Sequence, residues 1–279
     1  MVLAGGRSSR MGTPKAALEW HGSTLLRRAV GIVARATGGP VVVVRASGQA
    51  LPALPDGTIV VDDPREGKGP VQGIAAGLAA LEGQAEAAFV TSTDLPFLHP
   101  AFIAAVLRAL AAPGGGPAVA LPVARGYQQP LAAAYRTSLA GLADRLAKGE
   151  RPRPAFLFAE CDVVRLSDAA LLADPVLAAL DPDLDSLLNV NTQVDYQAAR
   201  ARPAPEVTLE LSAALVKAGQ PVRPRKARAA TVGAATAAAG LPPGQHVTAT
   251  INGNQVTADP EAPLAVGDVV FFALDDRPA

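Results

Sequence analysis

Three cations stand among glycines near the start of the chain. The stretch Leu3-Ala4-Gly5-Gly6-Arg7-Ser8-Ser9-Arg10-Met11-Gly12-Thr13-Pro14-Lys15 runs from a short apolar strand into a glycine-rich basic loop. Adjacent glycines allow a sharp turn and leave backbone N–H groups open toward an anion. Arg7, Arg10 and Lys15 put positive charge on that loop, in a chain whose 25 Lys plus Arg equal its 25 Asp plus Glu. The combination fits a polyphosphate; the ordinary alternative is a strand-to-helix turn with solvated arginines. It is neither of the two common phosphate loops. Thr13 and Pro14 separate Gly12 from Lys15 and Ala16 follows it, so Gly-Lys-Ser/Thr is missing. Gly5, Gly6 and Gly12 do not form the G-x-G-x-x-G of dinucleotide sites.

A carboxylate follows at the end of another apolar run, in Thr93-Asp94-Leu95-Pro96. Aspartates before prolines often start turns. Beside a polyphosphate loop, Asp94 is also a candidate Mg²⁺ ligand, because Mg²⁺ takes one or two carboxylates and completes its shell with phosphate oxygens and water. Asp62-Asp63 is expected on a loop after a strand. Gly69-Pro70-Val71-Gln72-Gly73 opens a helix, where glycines admit a ligand and free N–H groups bind a base edge or phosphate. Gln128-Gln129-Pro130-Leu131 and Asn189-Val190-Asn191-Thr192 are further polar clusters. Thr192 is expected to cap a helix over 193–200 with Asp195 as its partner, while Asn189 and Asn191 alternate around Val190 as if facing one way.

His21, His99 and His246 are scattered, Cys161 stands alone, and no serine has a Gly-x-Ser-x-Gly setting. That pattern points to chemistry without a protein nucleophile, driven by positioning and charge stabilisation.

The elements that must hold these groups alternate. Short β-branched runs at 41–45, 58–61 and 87–93 predict buried parallel strands. Helical patterns cover 24–36, 71–81 and 100–112, with Pro100 in a first turn; strands at 118–122 and 131–135 follow. The alternation predicts an α/β fold with a mainly parallel sheet, whose ligands sit beyond the strands' carboxyl ends. Domain boundaries are expected at 1–200, a stiff linker 201–205 (Ala201-Arg202-Pro203-Ala204-Pro205), and 206–279. The last segment predicts a strand at 207–211, a helix capped by Thr231, a hairpin turning at Asn252-Gly253, and a closing strand at 269–274, a small α+β module. Arg223-Pro224-Arg225-Lys226-Ala227-Arg228 is expected to be a solvated loop, with an interaction patch as the alternative.

At 279 residues the chain can bury one large core or two. Balanced charge gives no electrostatic case for nucleic acid or a membrane surface. No apolar run reaches the ~20 residues that span a bilayer. A single cysteine suits a reducing, cytoplasmic setting, and the chain is expected to begin inside its first strand, with a few residues preceding Met1.

Together the 3–15 signature, Gly69–Gly73 extended through Ile74-Ala75-Ala76-Gly77-Leu78, Asp94-Leu95-Pro96-Phe97, Gln129-Pro130-Leu131 and Asn189-Val190-Asn191-Thr192 resemble the molybdenum cofactor guanylyltransferases, nucleotidyltransferases of Rossmann-like fold with helices on both sheet faces. The resemblance covers about residues 1–200. It implies transfer of GMP from Mg²⁺·GTP to molybdopterin or its molybdenum form, with release of pyrophosphate. It implies nucleotide binding by Leu3, Ala4, Gly5, Gly6, Lys15 and Asp62 (or Asp63), Mg²⁺ at Asp94, catalytic charge from Arg10 and Lys15, and acceptor contacts from Gln129, Asn189 and Asn191. Two positions depart from the family: Arg45 stands where an asparagine can occur, and Gln72 where a small residue is usual. A cytidylyltransferase on the same cofactor, a sugar- or polyol-phosphate transferase, and a non-catalytic pathway adaptor remain alternatives.

Residues 206–279 resemble the ubiquitin-like β-grasp sulfur carriers of molybdopterin and thiamine synthesis, through Gly240-Leu241-Pro242-Pro243-Gly244, Ile251-Asn252-Gly253 and Val266-Gly267-Asp268-Val269-Val270. Carriers end in Gly-Gly, whereas this chain ends Asp275-Asp276-Arg277-Pro278-Ala279. The expectation is a carrier-like fold without carrier chemistry, docking other pathway proteins or dimerising.

Overall fold

The computed structural model describes residues 1–5, 14–64, 69–111, 116–149, 153–216, 223–242 and 246–275. Two compact units emerge: Met1–Leu18 with Leu25–Tyr196, and Glu19–Thr24 with Gln197–Ala279. The strands along the chain are β1 (Val2–Leu3), the paired β2 (Glu19–Trp20) and β3 (Ser23–Thr24), β4 (Val42–Ala46), β5 (Ile59–Asp63), β6 (Ala87–Ser92), β7 (Val119–Ala124), β8 (Tyr127–Gln128), β9 (Ala132–Arg136) and β10 (Val163–Ser167). The second unit adds β11 (Glu206–Leu211), β12 (Arg225–Arg228), β13 (Val247–Ile251), β14 (Gln255–Thr257) and β15 (Val269–Leu274).

The large sheet runs β10-β7-β9-β6-β1-β4-β5, with β8 on β7. β1 is parallel to both β4 and β6, pairing Leu3 with Val44 and Ser92. β5 extends this parallel set, and β10 is parallel to β7. β9 runs against β6 and β7, so the sheet is mixed but parallel-rich. Val42, Val43 and Val90 are wholly buried, as expected of β-branched strands covered on both faces.

Helices α1 (Leu25–Thr37) and α3 (Pro100–Arg108) pack together on the sheet; α2 (Pro70–Leu81), α4 (Ala140–Lys148) and α5 (Pro154–Ala159) form another group. The second group covers Leu3, Val42, Val44, Val90, Leu121, Ala133 and Tyr135, the alternate residues of one pleated face. Glycine has a packing role here. A Cβ on Gly73 would come within 3.3 Å of the Leu3 side chain, and one on Gly77 would strike the Met1 sulfur. The approach that Gly73 permits is that of a core leucine, not of the ligand expected from sequence. Short helices α6 (Asp168–Leu172) and α7 (Pro175–Leu180) precede α8 (Gln193–Arg200).

Other expectations shift. Strand β5 includes Asp62 and Asp63 rather than ending before them. As the sheet's edge it alternates toward solvent, so carboxylates fit within it. α3 stops at Arg108, followed by turns at 109–110; position 112 lies outside the described residues. β10, α5 to α7 and the 19–24 hairpin carry no strong periodic signal; α4, which buries Ala140, Ala143 and Ala147 at helical spacing, is a further helix beyond the sequence expectations.

The second unit's sheet runs β12-β11-β15-β13-β14, with β11 and β15 parallel and the other pairs antiparallel. Helix α9 (Val232–Ala238) is capped by Thr231, whose hydroxyl accepts from Ala234 N. Val232 and Ala235 join Val207, Leu209, Ile251, Leu264, Val270 and Phe272 in the core. Asn252 and Gly253 both have positive φ, 53° and 73°, as the turn requires. Asn252 Nδ2 donates to buried Asp268 Oδ1 at 2.8 Å, linking that turn to the start of β15. The basic cluster is not a loop: Arg225–Arg228 forms the edge strand β12, where cations keep an open edge in water.

Candidate functional site

Strand register fixes what projects beyond the carboxyl edge of the large sheet. Gly5 lies two residues past Leu3, and Asp94 two past Ser92, its partner. Arg45 and Asp62 pair one step beyond Val44 and Val61. β9 enters from the same edge: Ala132 pairs with Thr91, so Gln129 and Asp94 each lie three residues beyond that pair. Five separated sequence segments therefore share one rim.

Lys15 sits at its centre. Nζ donates to Asp94 Oδ1 at 3.1 Å, to the Val190 carbonyl at 2.9 Å and to Asn191 Oδ1 at 3.5 Å. The side chains are only 16% and 27% exposed, so this charge pair is more strongly felt than a surface one. Val190 N in turn donates to the Asp94 carbonyl at 2.9 Å, tying the 189–191 segment to the end of β6. The Thr192 cap forms as expected, with Asp195 N on Thr192 Oγ1 at 3.1 Å and Asn191 N and Thr192 N on Asp195 Oδ2. The Thr192 hydrogen bonds, then that of Asn191 N, and lastly the charge of Lys15 hold the Asp195 carboxyl below its ordinary range. Asn189 turns away, its amide facing the Leu187 carbonyl at 3.4 Å, so the two asparagines do not act as a pair.

Leu3 is a core side chain and offers the rim only its backbone. Ala4 N and Gly5 N bond to Val44 O, and Gly5 lies against Ala46 N, where a Cβ would come within 3.0 Å. Asp62 Oδ1 accepts from Arg45 Nε at 2.7 Å. Gln129 is held through its backbone, and buried Tyr135 donates its hydroxyl to Pro130 O at 2.8 Å. Burial pushes that phenol's pKa far up, so it stays a donor. Gly6, Arg7 and Arg10 lie outside the described residues.

Supporting residues escaped the sequence reading. Buried Arg28 of α1 donates from Nε to Pro96 O at 2.6 Å, fixing the turn that carries Asp94. Its signal was a cation three residues after Leu25 on an otherwise apolar stripe. Buried Ser186 accepts from His99 N, and buried Asp181 accepts from Asp185 N and Ser186 N, bracing the approach to 189–191. Gln49 bridges Ala4 O (3.0 Å from Nε2) and Ala46 N (3.0 Å from Oε1).

Among the described residues no three His, Cys, Asp or Glu gather as a metal cage. A Mg²⁺ that borrows most of its shell from phosphates needs none, and the hard oxygen donor of Asp94 fits such an ion. No helix among these residues is long and apolar enough to cross a membrane.

Moving a nucleotidyl group demands placed charge rather than a nucleophile from the protein, and this rim supplies charge on an α/β sheet; the chain is a nucleotidyltransferase. Residues 1–166 match the MobA-like NTP transferase domain, and the chain belongs to that family. A protein of Mycobacterium avium (strain 104) named "Probable molybdenum cofactor guanylyltransferase" is 38% identical over 207 residues, covering 72% of this chain and 95% of its own. A Mycobacterium tuberculosis (strain H37Rv) protein of the same name is 39% identical over 170 residues, 60% of this chain and 81% of its own. The crystal structure of molybdopterin-guanine dinucleotide biosynthesis protein A from Archaeoglobus fulgidus shares the fold, with TM-score 0.55 at 22% identity over 71% of this chain and 95% of that one.

Proposed function

We propose that this chain transfers GMP from GTP to the phosphate of molybdopterin or its molybdenum form, releasing pyrophosphate, as a Mg²⁺-dependent cytoplasmic enzyme. The carrying observation is the Lys15–Asp94–Asn191 cluster at the rim, in a chain whose relatives bear the guanylyltransferase name. An acceptor phosphate oxygen attacks the α-phosphorus, and the bond to the β-phosphate's bridging oxygen breaks. Lys15 holds the triphosphate and balances charge on the departing pyrophosphate, assisted by Arg10. Asp94 would hold Mg²⁺, which when bound neutralises phosphate charge. The Leu3–Gly6 backbone and Asp62 bind the nucleotide. Asn191 and Gln129 face the acceptor, while Asn189 supports the turn through its bond to the Leu187 carbonyl.

The transferase domain is assigned to 1–200 and joins through 201–205 to a second domain at 206–279. We read the second as a β-grasp module. Counting its own five strands, the order 2-1-5-3-4 with the first and last parallel supports this. It suits docking of pathway proteins.

One observation favours cytidylyl transfer as a second reading. Arg45 already occupies an oxygen of Asp62, an acceptor that guanine's N–H edge would need. Pyrophosphate release measured with each of the four NTPs, Mg²⁺, and molybdopterin present or absent decides. GTP- and molybdopterin-dependent release is expected; no release with any NTP overturns the proposal.

A further inference from the structure

The first turn of α2 buries a polar atom that no described residue satisfies. Gln72 is 3% exposed, and its Oε1 has no hydrogen-bond partner among the described residues. Buried carbonyl oxygens nearly always find a donor, so one left over calls for an occupant. α2 starts after Gly69 with Pro70 in its first turn and no side-chain cap, which puts Gln72 in the third helical position. Glutamine there often reaches back to the N-cap N–H; this one does not.

The direction of the side chain follows from the packing. Gly73 lies on Leu3 and Gly77 on Met1, so α2 runs antiparallel to β1 and its N-terminus overlies the sheet's carboxyl edge. Helical side chains lean toward the N-terminus, which aims Gln72 at the rim carrying Gly5, Arg45 and Asp62. Several polar atoms of that rim satisfy one another: Gln49 bridges Ala4 and Ala46, and Arg45 engages Asp62. Gln72 Oε1 is an acceptor without such a partner.

An acceptor cannot serve a phosphate, whose ionised oxygens also only accept. Its complement on a nucleotide is a base N–H or a ribose hydroxyl. We infer that Gln72 is a specificity-determining residue: its buried Oε1 accepts a hydrogen bond from the nucleoside of the bound nucleoside triphosphate. This rests on the nucleotide site proposed at the same rim.

The test is calorimetric titration of the full chain and of Gln72→Met, which keeps the volume and removes the amide. The titrants, with Mg²⁺, are GTP, inosine triphosphate (no 2-amino group), 2′-deoxy-GTP and 3′-deoxy-GTP. Gln72→Met is expected to melt no lower than the wild type and to bind GTP at least tenfold more weakly, about 1.4 kcal/mol. The analogue lacking the recognised donor then binds both proteins alike, while equal weakening of all of them assigns the base N1–H. GTP affinity unchanged within twofold overturns the inference and leaves guanylyl transfer standing. If the wild type instead prefers another NTP, guanylyl transfer falls and the same comparison proceeds with that nucleotide. Should Gln72→Met melt lower, the Gln72 side-chain amide resonance of ¹⁵N-labelled wild type gives the answer. A shift on nucleotide addition supports the inference, and an unmoved resonance overturns it.

Discussion

Lys15→Met removes an ammonium that joins three backbone segments while keeping most of the bulk of its stem. Nζ contacts Asp94 at 3.1 Å, the Val190 carbonyl at 2.9 Å and, weakly, Asn191 at 3.5 Å. A fully buried charged network would be costly to break, but these side chains are 16% and 27% exposed, so solvent screens part of the loss. A net destabilisation of about 1–2 kcal/mol follows, or roughly 2–8 °C of melting temperature for a unit of this size. The catalytic loss should be larger. A charge placed on transferring phosphates is worth about 10²–10³ in rate. Thermal melting and pyrophosphate release against GTP concentration, run on the same preparation, separate the two effects. A variant that melts several degrees lower yet keeps kcat/KM within threefold would refute the catalytic assignment and leave Lys15 as a strut.

Two further substitutions probe the supports. Arg28→Met should cost about 1–3 kcal/mol in urea unfolding, because the Pro96 carbonyl loses its buried charged donor, and should lower kcat through the displaced Asp94 turn. Unchanged kcat at reduced stability would confine Arg28 to packing. Asp195 has its pKa held below the ordinary 3.8 in the folded state. Its contribution is therefore complete above 3.8 and disappears as pH falls through the lower folded value. The melting temperature of Asp195→Ala should lie below the wild type at neutral pH and converge with it in strong acid; a gap that persists there contradicts the capping role.

The parallel centre of the fold was legible because burial on both faces leaves continuous β-branched runs, as at Val42–Val44. Local capping chemistry was equally readable at Pro100, Thr192 and Thr231. Two of the edge strands were not. β10 and β12 are partly solvated, and β12 consists largely of cations, so its composition resembles a loop while its pairing with β11 is decided elsewhere in the chain. At the site, residue types singled out Lys15, Asp94 and the asparagines, but not that Asn191 meets the lysine while Asn189 turns back on its own chain. Backbone direction settles that, and it depends on the buried brace of Asp181 and Ser186. Arg28 and Gln49 escaped for a similar reason: their partners, Pro96 and Ala4, lie 68 and 45 residues away.

Phosphorus bookkeeping tests nucleotidyl transfer at this rim most directly. With GTP labelled at the α-phosphate, molybdopterin and Mg²⁺, the label should appear in a guanine–molybdopterin dinucleotide with none in pyrophosphate, and Asp94→Ala should abolish its formation. Label recovered only in GTP, GDP or free GMP, or undiminished transfer by Asp94→Ala, would contradict it.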